Sequence, residues 1–277
     1  MTSPKKCMFI GNLIATFSLA ITPTFAAAAD PCNSSLTNMK CVIQNDDGQY
    51  NFAGTFTGFE DYGVTFENSD GASLTNTGTI DQYYSGIQIG GYATSSYNTF
   101  RSKVTEIENN GIISGNVGIR IYRDSTLESL VNLGTIEGGE GGLQVEGTLT
   151  TLKNYQGGSS TALVYRGIDW DGSLANNLPS NYVAIVKDDT AYGQVEFVRL
   201  ASPNTSMSFT AEGFNGGAIP VGTYPAVMTF EKERTEESFN IPQAANYELN
   251  TLDEGFTWDL RVFAPTPPKI TSATYDA

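Results

Sequence analysis

Asn76-Thr-Gly78-Thr-Ile80, Ile107-Glu-Asn109-Asn-Gly111-Ile-Ile113-Ser-Gly115 and Leu130-Val-Asn132-Leu-Gly134-Thr-Ile136-Glu-Gly138 are three copies of one motif. Each is followed by a second short unit: Gly86-Ile87-Gln-Ile89, Gly118-Ile119-Arg-Ile121 and Gly142-Leu143-Gln-Val145. A degenerate fourth copy begins at Leu152-Lys-Asn154-Tyr-Gln-Gly157. The aligned asparagines stand at 76, 109, 132 and 154, with spacings of 33, 23 and 22 residues. The long first spacing is accommodated if the Ser-, Tyr- and Asn-rich stretch from Tyr92 to Phe100 bulges out as a loop. A period near 22 with short alternating strands describes one coil of a β-solenoid, which cannot bury its apolar face without neighbours. A β-sandwich also alternates, but it does not predict recurrence of the whole unit.

The solenoid makes specific expectations. Ile80, Ile113 and Ile136 should share one interior column, with Ile87, Ile119 and Leu143, and Ile89, Ile121 and Val145, on the next sheet. Gly78, Gly111 and Gly134 fall between strands, where a tight bend favours a residue without Cβ. Asn76, Asn109 and Asn132 should stack as an internal amide ladder.

Composition agrees with a chain of strands and turns. The 277 residues include 29 Gly and 16% charged residues, a mix that disfavours long helices. Fifteen Lys and Arg against 30 Asp and Glu give a net charge of -15, which repels phosphate backbones and argues against a nucleic-acid partner. There is no His, so Ser-His, Cys-His and His-metal mechanisms are excluded.

The N-terminus reads as a secretory signal over residues 1–29. Lys5 and Lys6 precede an apolar run from Cys7 to Ile21, and Ala26 to Ala29 offer a small-residue cleavage site. The run is shorter than the roughly 20 residues a spanning helix needs. After cleavage only Cys32 and Cys41 remain, and two nearby cysteines in an exported chain read as one disulfide.

The units of the form I-x-N-x-G-x-I-x-G…G-I-x-I resemble the passenger domains of bacterial autotransporters. Leu152 to Gly158, Ala162 to Tyr165, Leu178 to Tyr182, Tyr192 to Val195, Gly222 to Tyr224 and Phe256 to Leu260 extend the likeness, which covers roughly residues 64 to 262. It implies an all-β, right-handed parallel β-helix with a C-terminal β cap. The implied organisation is an N-terminal cap over 30–63, coils over 64–165, an autochaperone-like cap over 166–263 and a Pro-rich tail over 264–277. The resemblance also implies a partner, an outer-membrane translocator barrel, which does not follow Ala264-Pro-Thr-Pro-Pro268 in this chain. A truncated or split gene product and a free secreted relative both fit.

Candidates for chemistry are few. Asp169 and Asp171 flank Trp170 and are the nearest thing to a glycan-cleaving acid/base pair, though a solvated turn uses the same residues. Asp46-Asp47-Gly48 and Asp188-Asp189 read as turns, because a hard cation needs more oxygens than they offer. Arg120, Tyr122 and Arg123 form a small basic-aromatic spot that reads as a solvated face. No metal, cofactor or catalytic set is expected. Three readings stay open: a surface or secreted passenger contacting a host-cell surface, a neighbouring cell or a glycan; a polysaccharide lyase or glycoside hydrolase on the same scaffold; and a non-functional fragment. The first is preferred, at the outer-membrane surface, in the periplasm or outside the cell.

Overall fold

The computed structural model describes residues 36–37, 41–58, 62–92, 99–167, 177–200, 206–235, 238–242, 246–251 and 253–264. Three sheets run side by side, built almost wholly from parallel pairs between successive coils. Up to Ile136, each coil passes from a ten-stranded sheet to a nine-stranded sheet and then to a five-stranded one. Leu36–Thr37, Thr55–Gly58, Thr79–Gln82, Ile112–Ser114 and Thr135–Ile136 stack as the five-stranded sheet. The protein is a parallel β-helix, and among the described residues no α-helix occurs.

The repeat motif dictates the register. Ile80 pairs with Ile113, and Ile113 with Ile136, each at most 1% exposed. Phe56 continues that register one coil earlier and pairs in turn with Leu36, so coil stacking reaches into the segment before residue 64. On the ten-stranded sheet Val64, Ile87, Ile119 and Leu143 are successive register partners, as are Phe66, Ile89, Ile121 and Val145. The 33-residue spacing is explained by a small antiparallel hairpin, Gly91–Tyr92 against Thr99–Phe100, inserted between two strands of a coil.

Asn76, Asn109, Asn132 and Asn154 are fully buried and in register at the corner between the nine- and five-stranded sheets. Each Nδ2 donates to the Oδ1 of the next asparagine: 2.8 Å from Asn76 to Asn109, 2.9 Å from Asn109 to Asn132, and 2.9 Å from Asn132 to Asn154. The Oδ1 atoms of Asn76 and Asn109 also accept backbone N–H groups two residues on, from Gly78 at 3.1 Å and Gly111 at 3.2 Å, which folds the corner. Gly78, Gly111 and Gly134 are needed there because of coil-to-coil approach rather than a left-handed bend. None has a positive φ, but a Cβ on Gly111 would lie 2.0 Å from the carbonyl oxygen of Gly78.

The 22-residue period ends because the coil loses a sheet. Among the described residues no strand after Ile136 joins the five-stranded sheet, and the Gln156 side chain takes that strand's place. Its Oε1 accepts from the Ile136 N–H at 2.7 Å and from Asn132 Nδ2 at 3.1 Å, while its Nε2 donates to the Ile136 carbonyl at 3.2 Å. One primary amide thus satisfies both ladder groups of Ile136 on the open side. Gln156→Leu is expected to lower the unfolding free energy by about 3 kcal/mol, since a buried N–H and C=O lose their partners. Urea denaturation checks this, and an unchanged midpoint would remove Gln156 from the role.

Beyond that point two sheets continue in parallel, and larger side chains occupy the interior that three sheets shared. Leu143 is followed in register by Tyr165, Phe197 and Phe230, and Leu152 by Tyr182 and Phe209. The rings pack closely, with Phe197 and Phe230 stacked nearly parallel at a centroid distance of 4.9 Å. The ten-stranded sheet is closed by antiparallel strands: Thr257–Val262 pairs with both Gly222–Phe230 and Tyr247–Thr251. Trp258, 1% exposed, anchors this cap and donates its indole N–H to the Gly255 carbonyl at 3.0 Å. Such a closing pair covers an edge that would otherwise accept another strand.

Candidate binding groove

A groove of about 900 Å³ runs along the corner where the chain leaves the five-stranded sheet for the ten-stranded one. Five successive turns contribute to it, at Gly58, Asp81 to Tyr84, Ser114 to Asn116, Glu137 to Gly139 with Gly142, and Thr161, Ala162 and Val164. With coils stacked roughly 4.8 Å apart, it extends roughly 20 Å along the helix axis.

Its floor follows from packing. Gly115 and Gly138 cannot carry a side chain, since a Cβ would fall 2.6 Å from the Gln82 carbonyl oxygen and 2.5 Å from the Gly141 carbonyl oxygen. The turns therefore present bare backbone and leave a depression. The wall carries short polar groups. Asp81 and Ser114 are register partners on the outward face, and the Ser114 hydroxyl donates to Asp81 Oδ1 at 2.9 Å. Glu137, one coil further, is exposed. No Lys or Arg is among the described residues that line the groove.

Two tyrosines form the remaining wall. Tyr83 is 68% exposed and Tyr84 38%. Tyr84 is held in place: its ring meets Tyr62 edge-on at 5.6 Å, and its hydroxyl accepts from Arg120 Nη1 at 3.4 Å. Gln82 lies between Asp81 and Tyr83 in the lining, is 2% exposed, and neither amide atom forms a hydrogen bond.

Arg120 is not part of a solvated face. Its side chain is 15% exposed and its Nη2 lies 2.6 Å from Glu146 Oε1, where Glu146 is 1% exposed. The guanidinium sits 4.4 Å from the Tyr122 ring centroid. Strand alternation points Arg120 outward, but Glu146 from the next coil and two tyrosines cover it. Burial raises the Tyr122 hydroxyl well above its ordinary pKa, so it remains a neutral packing group. The cluster links adjacent coils behind the groove and fixes Tyr84.

The other sequence candidates do not converge here. Asp169, Trp170 and Asp171 lie outside the described residues. So does Cys32, while Cys41 is fully buried on Cys41–Gln44 in register with Val64. Asp46 and Asp188 serve turns: Asp46 Oδ1 accepts from Gly48 N at 2.9 Å, and Asp188 Oδ1 from Thr190 N at 2.9 Å. Among the described residues no group of three or more Asp, Glu, Cys or His is placed to hold a metal. Tyr83 and Tyr84 were not singled out from the sequence. The available signal was an aromatic pair at the turn where the next two copies of the repeat carry Gly115-Asn116 and Gly139-Glu140. No known protein family, curated protein or solved structure matches the chain.

Proposed function

We propose that the chain is an exported, passenger-type β-helix that works by contact, holding its cell or itself to a host-cell surface, a neighbouring cell or a glycan. The observation that carries this reading is the groove, which crosses five coils and is lined by backbone, short polar groups and exposed tyrosines. A rigid stack of coils presents such a surface without an ordering cost on binding. The autotransporter-like repeats and the signal-like residues 1–29 support delivery out of the cytoplasm, with a translocator barrel as the delivery partner. Export would also put Cys32 and Cys41 where a disulfide persists.

Beads coated with the folded protein are expected to retain host or bacterial cells well above albumin-coated beads. Retention no better than albumin would overturn the contact reading. Release of reducing or unsaturated sugar ends from a polysaccharide panel would replace it with the enzyme reading.

A further inference from the structure

We propose that the groove binds an oligosaccharide free of acid groups, laid along the helix axis across the turns and stacked on Tyr83 and Tyr84. This rests on the contact reading and gives it a ligand class.

Four features point the same way. First, Tyr83 and Tyr84 are the largest side chains that the described part of the groove exposes, and they stand next to each other on one turn. An aromatic ring offers an apolar face to the C–H side of a pyranose while its hydroxyl stays available for hydrogen bonding. Tyr84 is already fixed by Tyr62 and Arg120, so stacking on it costs little side-chain entropy. Second, the polar groups within reach match a polyol. Asp81 and Glu137 are acceptors with two oxygens each, Ser114 and Thr161 carry hydroxyls, and no bulky side chain stands between them.

Third, the lining at Gly115, Gly138 and Gly139 carries no side chain, so a sugar ring can lie close against the backbone of the turns. The fourth feature is charge. Asp81 and Glu137 line the groove with no Lys or Arg among its described residues, and the chain carries -15 overall. Uronic, sialic, sulfated and phosphorylated chains are repelled by such a wall, whereas neutral and amino sugars are not. The length, roughly 20 Å, suits a chain of several rings rather than one.

The test is calorimetric titration of the full chain with three probes: neutral N-acetylglucosamine oligomers, glucosamine oligomers and oligogalacturonate. Binding is expected for one or both of the first two and not for the third. Tyr83→Ala should weaken that binding at least tenfold, Tyr83→Phe should retain most of it, and neither should move the thermal unfolding midpoint, because Tyr83 is exposed. Binding of oligogalacturonate alone, no binding of any probe at millimolar concentration, or Tyr83→Ala binding like the native chain would each overturn the proposal. Cell retention on beads separates the two claims. If coated beads retain cells equally well with Tyr83→Ala, the ligand assignment fails while the contact reading stands. If native beads retain none, the contact reading itself fails.

Discussion

Gly111→Ala is expected to lower the unfolding free energy by about 4 kcal/mol or more, or to leave the chain insoluble. The added Cβ would meet the Gly78 carbonyl oxygen at 2.0 Å and the Gly78 N and C atoms at 2.9 and 3.0 Å. All three are backbone atoms in a stacked corner, so no side chain can swing aside. Relief would require separating two coils, and that would stretch the Ile112 N–H to Gly78 carbonyl bond, now 2.9 Å, together with the Asn76–Asn109 bond. Gly139→Ala is the matched control. Its Cβ would meet only Asn116 Oδ1, at 3.2 Å, the end of a side chain that can move. Urea denaturation followed by far-UV circular dichroism should show a large loss for the first and little change for the second. Equal midpoints for both would show that the corner is looser than these contacts require.

Asn109→Ala should cost about 4 kcal/mol, because four groups lose a partner at once. Asn109 Nδ2 donates to Asn132 Oδ1 at 2.9 Å and to the Thr135 carbonyl at 3.1 Å. Its Oδ1 accepts from Asn76 Nδ2 at 2.8 Å and from the Gly111 N–H at 3.2 Å. Each buried group left unpaired costs about 1–3 kcal/mol, less where a second partner remains, as Asn76 retains with the Ile112 carbonyl. Asn109→Asp is nearly the same shape and keeps the acceptor, yet it points a second oxygen at Asn132 Oδ1 and the Thr135 carbonyl. It should therefore be no better than the alanine variant at neutral pH. A loss below about 1 kcal/mol for both variants would mean that water replaces the ladder. Because solenoid coils couple mainly to their neighbours, protease sensitivity should rise first between residues 76 and 136.

Some of the architecture could be read from residue spacing because each coil repeats the same physical problem. Asn-x-Gly-x-Ile places a corner amide, a Cβ-free approach and an interior aliphatic at fixed offsets, so the columns of Ile80, Ile113 and Ile136 and of the asparagines were visible in one dimension. The first coil was harder to see. Phe52 stands in register with Asn76, and Phe56 with Ile80, so the same positions are filled by different chemistry. Past residue 165 the repeat dissolves for a related reason: once the five-stranded sheet stops, the interior is filled by Tyr165, Tyr182, Phe197 and Phe209 rather than Ile and Leu. Parallel pairing continues all the same, because it depends on backbone groups that every residue carries.

The sequence by itself determined what is periodic: an all-β solenoid, its register and the identity of its stacked amides and glycines. Those properties depend on residues spaced one coil apart, and coil length is a count along the chain. Only the tertiary structure decided what depends on neighbours from different coils. Gln156 ends a sheet because its amide reaches Ile136, 20 residues earlier. Arg120 is largely covered although it points outward, because Glu146 and Tyr84 arrive from other coils. The groove exists because five turns line up along the axis, and no single turn contains enough of it to be recognised alone.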